Sequence, residues 1–362
     1  MKKLLGAFLV FLPFIAIIVG VNYYADPANV LQVGYEQKVA QILVDGQNAS
    51  NLRNMDDRSL MREYAENTTL KIDTLLLGSS HSMQLTKEII GDENTFCAGV
   101  TGSDLRDCIS IWSLMLKNGQ QPKRVVLTMD PWMLAEGCLD KRAMTDGYVE
   151  FCKENGMRPL ASEGNWQAQL ERVSQAFSLV YFQSSVQYLK QGLQNTKDPV
   201  ATTDFYTDTD LRRADGSYGY GAQLRNVTEE NMYDRVKNYI LFKPELMAKF
   251  DGISQSLYQQ LSLFLDELKQ DGREVVLFLS PFNNAYYDHM KTQTDNYVEI
   301  LSVEPLLQQL AKEKGIKVVG SYDPYACGMT QMDFYDGLHC SSEAIERFWP
   351  TDVFETIQTS DS

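Results

Sequence analysis

Residues 74–85 read TLLLGSSHSMQL, an apolar run that breaks into a glycine, two serines and a histidine. Ile72 to Leu77 is short and continuously apolar, the pattern of a strand covered on both faces of a parallel sheet. Gly78 lets the chain turn sharply from strand to helix. The serines after it stand where open α/β sheets bind ligands, just past the carboxyl end of a strand. By itself, Gly-Ser-Ser after a strand is more often a helix-capping turn, so its meaning depends on the rest of the chain.

The strand does not stand alone. Thr95 to Ala98 is a second, shorter one, and Ser103 is expected to cap a helix with Leu105, Cys108, Ile109, Trp112 and Leu116 along one face. RVVLTM (124–129) reads as a third strand and EVVLFLS (274–280) as a fourth. A helix expected from Ser256 to Gly272 precedes the fourth. Another from Ser302 to Gly315 leads into KVVG from Lys317, the fifth. Strands alternating with helices at this spacing predict an α/β fold, a three-layer doubly wound parallel sheet. The rhythm fails between about 141 and 250, read as an insertion. It holds a long helix over Asn165–Leu193 and a mostly loop-like aromatic, acidic stretch over 196–232.

The first 25 residues differ from the body. Lys2 and Lys3 precede an apolar run of 18 residues from Leu4 to Val21, long enough as a helix for about 27 Å. Tyr23 and Tyr24 follow, where an interfacial aromatic belt would sit. The reading is a transmembrane anchor over 1–25 with the amino terminus inside and the body extracytoplasmic. A cleaved signal peptide is the competing reading, but no small-x-small cleavage site follows the run. Residues 26–70 read as a juxtamembrane segment with one or two short helices, and 71–362 as the catalytic domain. A net charge of −15 and a pI near 4.7 argue against nucleic acid as a partner. Six cysteines leave two readings open, neighbouring pairs (Cys97/Cys108, Cys138/Cys152, Cys327/Cys340) or buried free thiols. Their spacing fits no metal site, and no cofactor is expected.

A serine hydroxyl needs a base to take its proton, and the base needs a partner that fixes its tautomer. After the fifth strand comes YDGLHC, in which Asp336 and His339 can supply both from one tight turn. Ser80 would then be the nucleophile, with the backbone N–H groups of Ser80 and Gly99 as an oxyanion hole. If Ser80 opens a helix its neighbour points elsewhere, so His81 is expected either behind the reacting groups or exposed, and His289 at the surface rather than lining the crevice. Trp132, Tyr218 and Tyr220 are candidates for stacking on sugar rings.

The Gly-Ser-Ser block, the glycine after the second strand and the closing Asp-x-x-His resemble the SGNH (GDSL-type) hydrolase superfamily. The resemblance implies Ser80 as nucleophile, His339 as base, Asp336 as its orienter and Gly99 as an oxyanion donor. The N-terminal anchor, NYYADP and LFLSPFN narrow the likeness to its membrane-anchored branch. That branch modifies cell-surface polymers and includes the D-alanine transfer protein of teichoic acids and alginate-type O-acetylation proteins. It implies a cell-surface glycan substrate and a membrane-bound O-acyltransferase partner.

Two positions depart from the family pattern. Cys97 stands where an asparagine is usual, and TMDPW (128–132) replaces the Gly-x-Asn whose side chain donates to the oxyanion. An ionised Asp130 cannot donate there. Asn283, or Asn284 beside it, is the candidate substitute. The departures keep a second reading alive, a catalytically degenerate glycan-binding or scaffolding subunit. An α/β-hydrolase fits less well, because Ser82 stands where Gly-x-Ser-x-Gly needs its last glycine.

Overall fold

A computed structural model describes residues 2–31, 34–160, 173–190, 192, 198–293 and 295–354, with 2–10 as backbone only. Its centre is a parallel sheet of five strands, β1 (Thr74–Leu77), β2 (Thr95–Cys97), β3 (Arg124–Thr128), β4 (Glu274–Leu279) and β5 (Lys317–Gly320). The spatial order is β2-β1-β3-β4-β5 and every pairing is parallel. Leu76 lies beside Cys97 on one side and Val126 on the other. All four residues of β1 are buried, as the unbroken apolar run requires. Because the chain leaves β1 toward one edge and β3 toward the other, a crevice opens between their carboxyl ends. Ser80 and Asp130 follow those two strands.

The helix after β2 spans Leu105–Lys117, and Asp104 rather than Ser103 caps it. Asp104 accepts from the Arg106 N–H, while Asp107 reaches back to the cap in a reciprocal pair. The helix before β4 is Gln255–Leu268, capped by Ser254. The helix before β5 begins earlier than expected, at Tyr297, and stops at Gly315 in the left-handed conformation.

Residues 26–70 are more than a polar stalk. Helices Tyr35–Val44 and Asp57–Asn67 bury Val39, Leu43, Leu60, Met61 and Tyr64 in the main core. Arg58, itself buried, pairs with Asp107 at 2.8 Å and Asp140 at 3.3 Å, tying this segment to the domain. The expected loop over 196–232 also gains structure, because strands too short to detect alone find partners far away. Val200–Thr202, Leu211–Arg212 and Tyr218–Gly219 join Asn48–Ser50 in a second, antiparallel sheet. The Cys97 N–H donates to Asp215 O at 2.7 Å, which docks the insertion against β2.

The long helix expected over Asn165–Leu193 lies partly outside the described residues; within them Leu179–Lys190 is helical. It packs on the N-terminal helix Lys2–Ala25. There the Asn22 amide donates to the carbonyls of Gln175, Ala176 and Ser178, and the Tyr181 hydroxyl donates to Asp26. Side chains 1–10 of the expected anchor lie outside the described residues, and among those described no helix is long and apolar enough to cross a membrane. All six cysteines are free thiols, with Cys327 half-buried and the others buried.

Candidate active site

The site begins at Gly78, whose φ of 144° lies where L side chains are strained. Its α-carbon also presses on β3, so an added Cβ would sit 2.6 Å from Thr128 Cβ. The turn that follows is held from within. Ser79 Oγ accepts from the His81 N–H, and Ser79 O accepts from the Ser82 N–H at 3.0 Å and the Ser82 hydroxyl at 2.7 Å. This leaves Ser79 fully buried and Ser80 half-exposed at the crevice.

Across the crevice, Ser80 Oγ lies 2.9 Å from His339 Nε2. His339 Nδ1 lies 3.0 and 3.1 Å from the two oxygens of Asp336. Asp336 accepts also from the N–H groups of Leu338 and His339, each at 2.8 Å, so the loop itself orients the carboxylate. These contacts fix the tautomer, with Nδ1–H donated to Asp336 and the Nε2 lone pair facing the serine. Serine, histidine and aspartate come together from positions 259 residues apart in the chain.

The electrostatics suit a proton acceptor. Burial would raise the Asp336 pKa, but the His339 charge and the hydrogen bonds hold it well below the usual carboxylate range. Burial opposes a charged His339, yet Asp336 outweighs it and raises the imidazole above its ordinary value. A base must be unprotonated to act, so Ser80-dependent acylation is expected to rise with pH through that raised pKa. The acidic limb of its rate profile is expected to centre above about 6.5, and a limb well below the ordinary imidazole value contradicts the assignment.

Gly99 packs against the turn over Ser79–Met83, and a Cβ there would run into Ser82 Oγ, Met83 and Ser79 O. Its carbonyl accepts from Arg212 at 3.0 Å. Arg212 is fully buried, touches Asp57, and reaches the site from the second sheet. Tyr220 lies with its ring 6.1 Å from His339 and 4.8 Å from Tyr335. Burial first, then Asp336, drives the phenols of Tyr220 and Tyr239 upward, and the neutral Tyr239 hydroxyl donates to the carboxylate. The insertion therefore builds one wall of the crevice. Arg212 and Tyr239 left no sign in the sequence, since each meets its partner only through the fold.

Two expectations need correction, and the histidines can be placed. The Asn283 side chain caps helix Asn284–Thr292, accepting from the Ala285 N–H, and its amide is turned to Met232 and Gln331. It offers no donor to an oxyanion. The Asn284 amide is likewise engaged, by Met329 O at 3.0 Å. Trp132 is buried with its indole N–H on Ser103 O, so it offers no face for a sugar. Of the two placements expected for His81, behind the reacting groups or exposed, the structure has the first: it is buried beside His339 with Nδ1 2.5 Å from Asp130. His289 is half-buried against Tyr297, on the helix that Asn283 caps.

The arrangement provides a hydroxyl, a base aligned to deprotonate it and a carboxylate that orients the base. No protein-family model matches the sequence, and no curated protein matches it at significance.

Proposed function

We propose that the protein is an SGNH-type serine acyltransferase or esterase that adds acyl groups to, or removes them from, hydroxyls of a cell-envelope polysaccharide. The observation that carries this reading is the unbroken chain from Ser80 Oγ through His339 to Asp336, placed at the crevice between β1 and β3. The narrower resemblance carried by the N-terminal apolar run, NYYADP and LFLSPFN supplies the class of substrate.

In the first half-reaction His339 Nε2 takes the Ser80 proton as Oγ attacks the acyl carbonyl of a donor ester. The backbone N–H groups of Ser80 and Gly99 are the donors proposed for the oxyanion. Collapse breaks the donor's acyl–oxygen bond, and the proton on His339 passes to the leaving oxygen. In the second half-reaction a glycan hydroxyl, or water, gives its proton to His339 and attacks the acyl-serine. The acyl group leaves on the acceptor and the proton returns to Ser80.

On the apolar run Leu4–Val21, part of whose side chains lie outside the described residues, the segment 1–25 is proposed as a single-pass anchor that holds the domain on the extracytoplasmic face, beside a membrane-bound O-acyltransferase that delivers the acyl group. The Asn22 and Tyr181 contacts would set the orientation of the domain on that anchor. A scaffolding subunit for the same partner is the second reading, favoured by the missing side-chain oxyanion donor at 128–132.

The test offers full-length protein an activated acetyl ester together with an oligosaccharide acceptor. Mass spectrometry should detect O-acetylated sugar, or loss of acetyl from a preacetylated one, dependent on Ser80. Neither product at any acceptor concentration would leave the scaffolding reading as the better account.

A further inference from the structure

The residue that breaks the family pattern, Asp130, is not idle. It follows β3 at the crevice and is 1% exposed, as is the His81 side chain bonded to it at 2.5 Å. His81 Nε2 and the second Asp130 oxygen have no hydrogen-bond partner among the described residues. The His81 ring stands edge-on to His339, with centroids 5.1 Å apart and planes at 71°, and Trp132 packs on it at 5.6 Å. An isolated carboxylate this deeply buried would be costly, and a single imidazole N–H is meagre compensation.

The geometry points to Asp130, held in place by His81, as a second carboxylate that stabilises the charged form of His339 during proton transfer. Asp336 acts on His339 directly through Nδ1, whereas Asp130 acts across the His81 ring. The contact of His81 Nδ1 with Asp130 fixes the carboxylate behind the ring that meets His339 edge-on at 5.1 Å. The groups facing this pair fit that assignment. Around Asp130 lie His81, the buried Tyr322, whose hydroxyl donates to Met129 O, and the buried Cys108. Around His339 lie Asp336, His81 and Tyr220. The charge of Asp130, after burial and Asp336, contributes to the elevation of the His339 pKa. His81 and Asp130 are thus positioning residues, and their role rests on the acyl-transfer reading only for its catalytic consequence.

The experiment is a side-chain NMR titration of His339 in full-length wild-type and Asp130→Asn protein, with thermal melts to establish folding. Three histidines make the assignment tractable, with His289→Gln removing one signal. Asp130→Asn is expected to lower the His339 pKa by about half a unit or more and to move the acidic limb of the rate profile down with it. His81→Gln, which removes the ring that holds Asp130 in place, should shift it the same way. Turnover of an acetyl ester should fall several-fold in both variants. An unchanged His339 pKa in folded Asp130→Asn overturns the inference. So does a rise in turnover, which would mean that asparagine had restored an oxyanion donor. If the titration shifts as expected while Ser80 proves unreactive, the pair stands and the acyl-transfer reading fails.

Discussion

Ser80→Ala is expected to reduce hydrolysis of a small acetyl ester by about 10,000-fold or more, with the fold intact. Ser80 is half-exposed and its hydroxyl points to His339 rather than into the core, so removing one oxygen takes away no packing. His339→Ala should cost a similar factor, and the double variant little more, because nucleophile and base act as one unit. Asp336→Asn is a finer probe. It keeps the shape but presents an amide to His339 Nδ1, and so favours the wrong tautomer. Steady-state rates with melting curves decide the matter. A Ser80→Ala protein retaining a tenth of the wild-type rate would remove the serine from the mechanism.

The second large effect is on stability. Gly78→Ala places a methyl group 2.6 Å from Thr128 Cβ and 3.0 Å from Thr128 O. Thr128 belongs to the central strand β3, paired on both sides, so it cannot retreat. Forced overpacking of this kind costs about 1–3 kcal/mol. The φ of 144° adds strain of about 1–3 kcal/mol for a residue with a Cβ. Chemical denaturation is therefore expected to show a loss of about 2–6 kcal/mol, with turnover falling as Ser80 is displaced. A loss under about 1 kcal/mol would mean that the turn yields, and that Ser80 is not held as rigidly as the hydrogen bonds imply.

The parallel sheet was legible because most of its strands centre on a short apolar run, visible without knowing its neighbours. Ser80, Asp336 and His339 were legible because strand ends narrow where reactive groups can stand, and because Asp-x-x-His is a local arrangement. The rest depended on contacts that no local pattern encodes. Arg212 sits in LRRADG (211–216), which reads as a polar turn, yet pairing between Ala49 and Arg212 carries it to Gly99. The sequence leaves His81 open between a place behind the reacting groups and an exposed one, because a helix starting at Ser80 would turn it outward. The chain instead makes a single tight turn over Ser82–Gln84, which leaves His81 facing Asp130. Asn283 looked like a free donor because capping is invisible until the helix boundary is known, and the helix it caps begins at the next residue. Residues 26–70 looked detached because their apolar positions are sparse, while the buried Arg58–Asp107 pair that anchors them spans 49 residues of sequence.

The central claim is that Ser80 is a nucleophile activated by His339. The most direct measurement is covalent capture by a serine-directed fluorophosphonate on the full-length protein, followed by peptide mapping. The account predicts a single adduct on the peptide that carries Ser80, absent in Ser80→Ala and formed far more slowly in His339→Ala. Equal labelling of wild type and Ser80→Ala, or no adduct on that peptide, would contradict it.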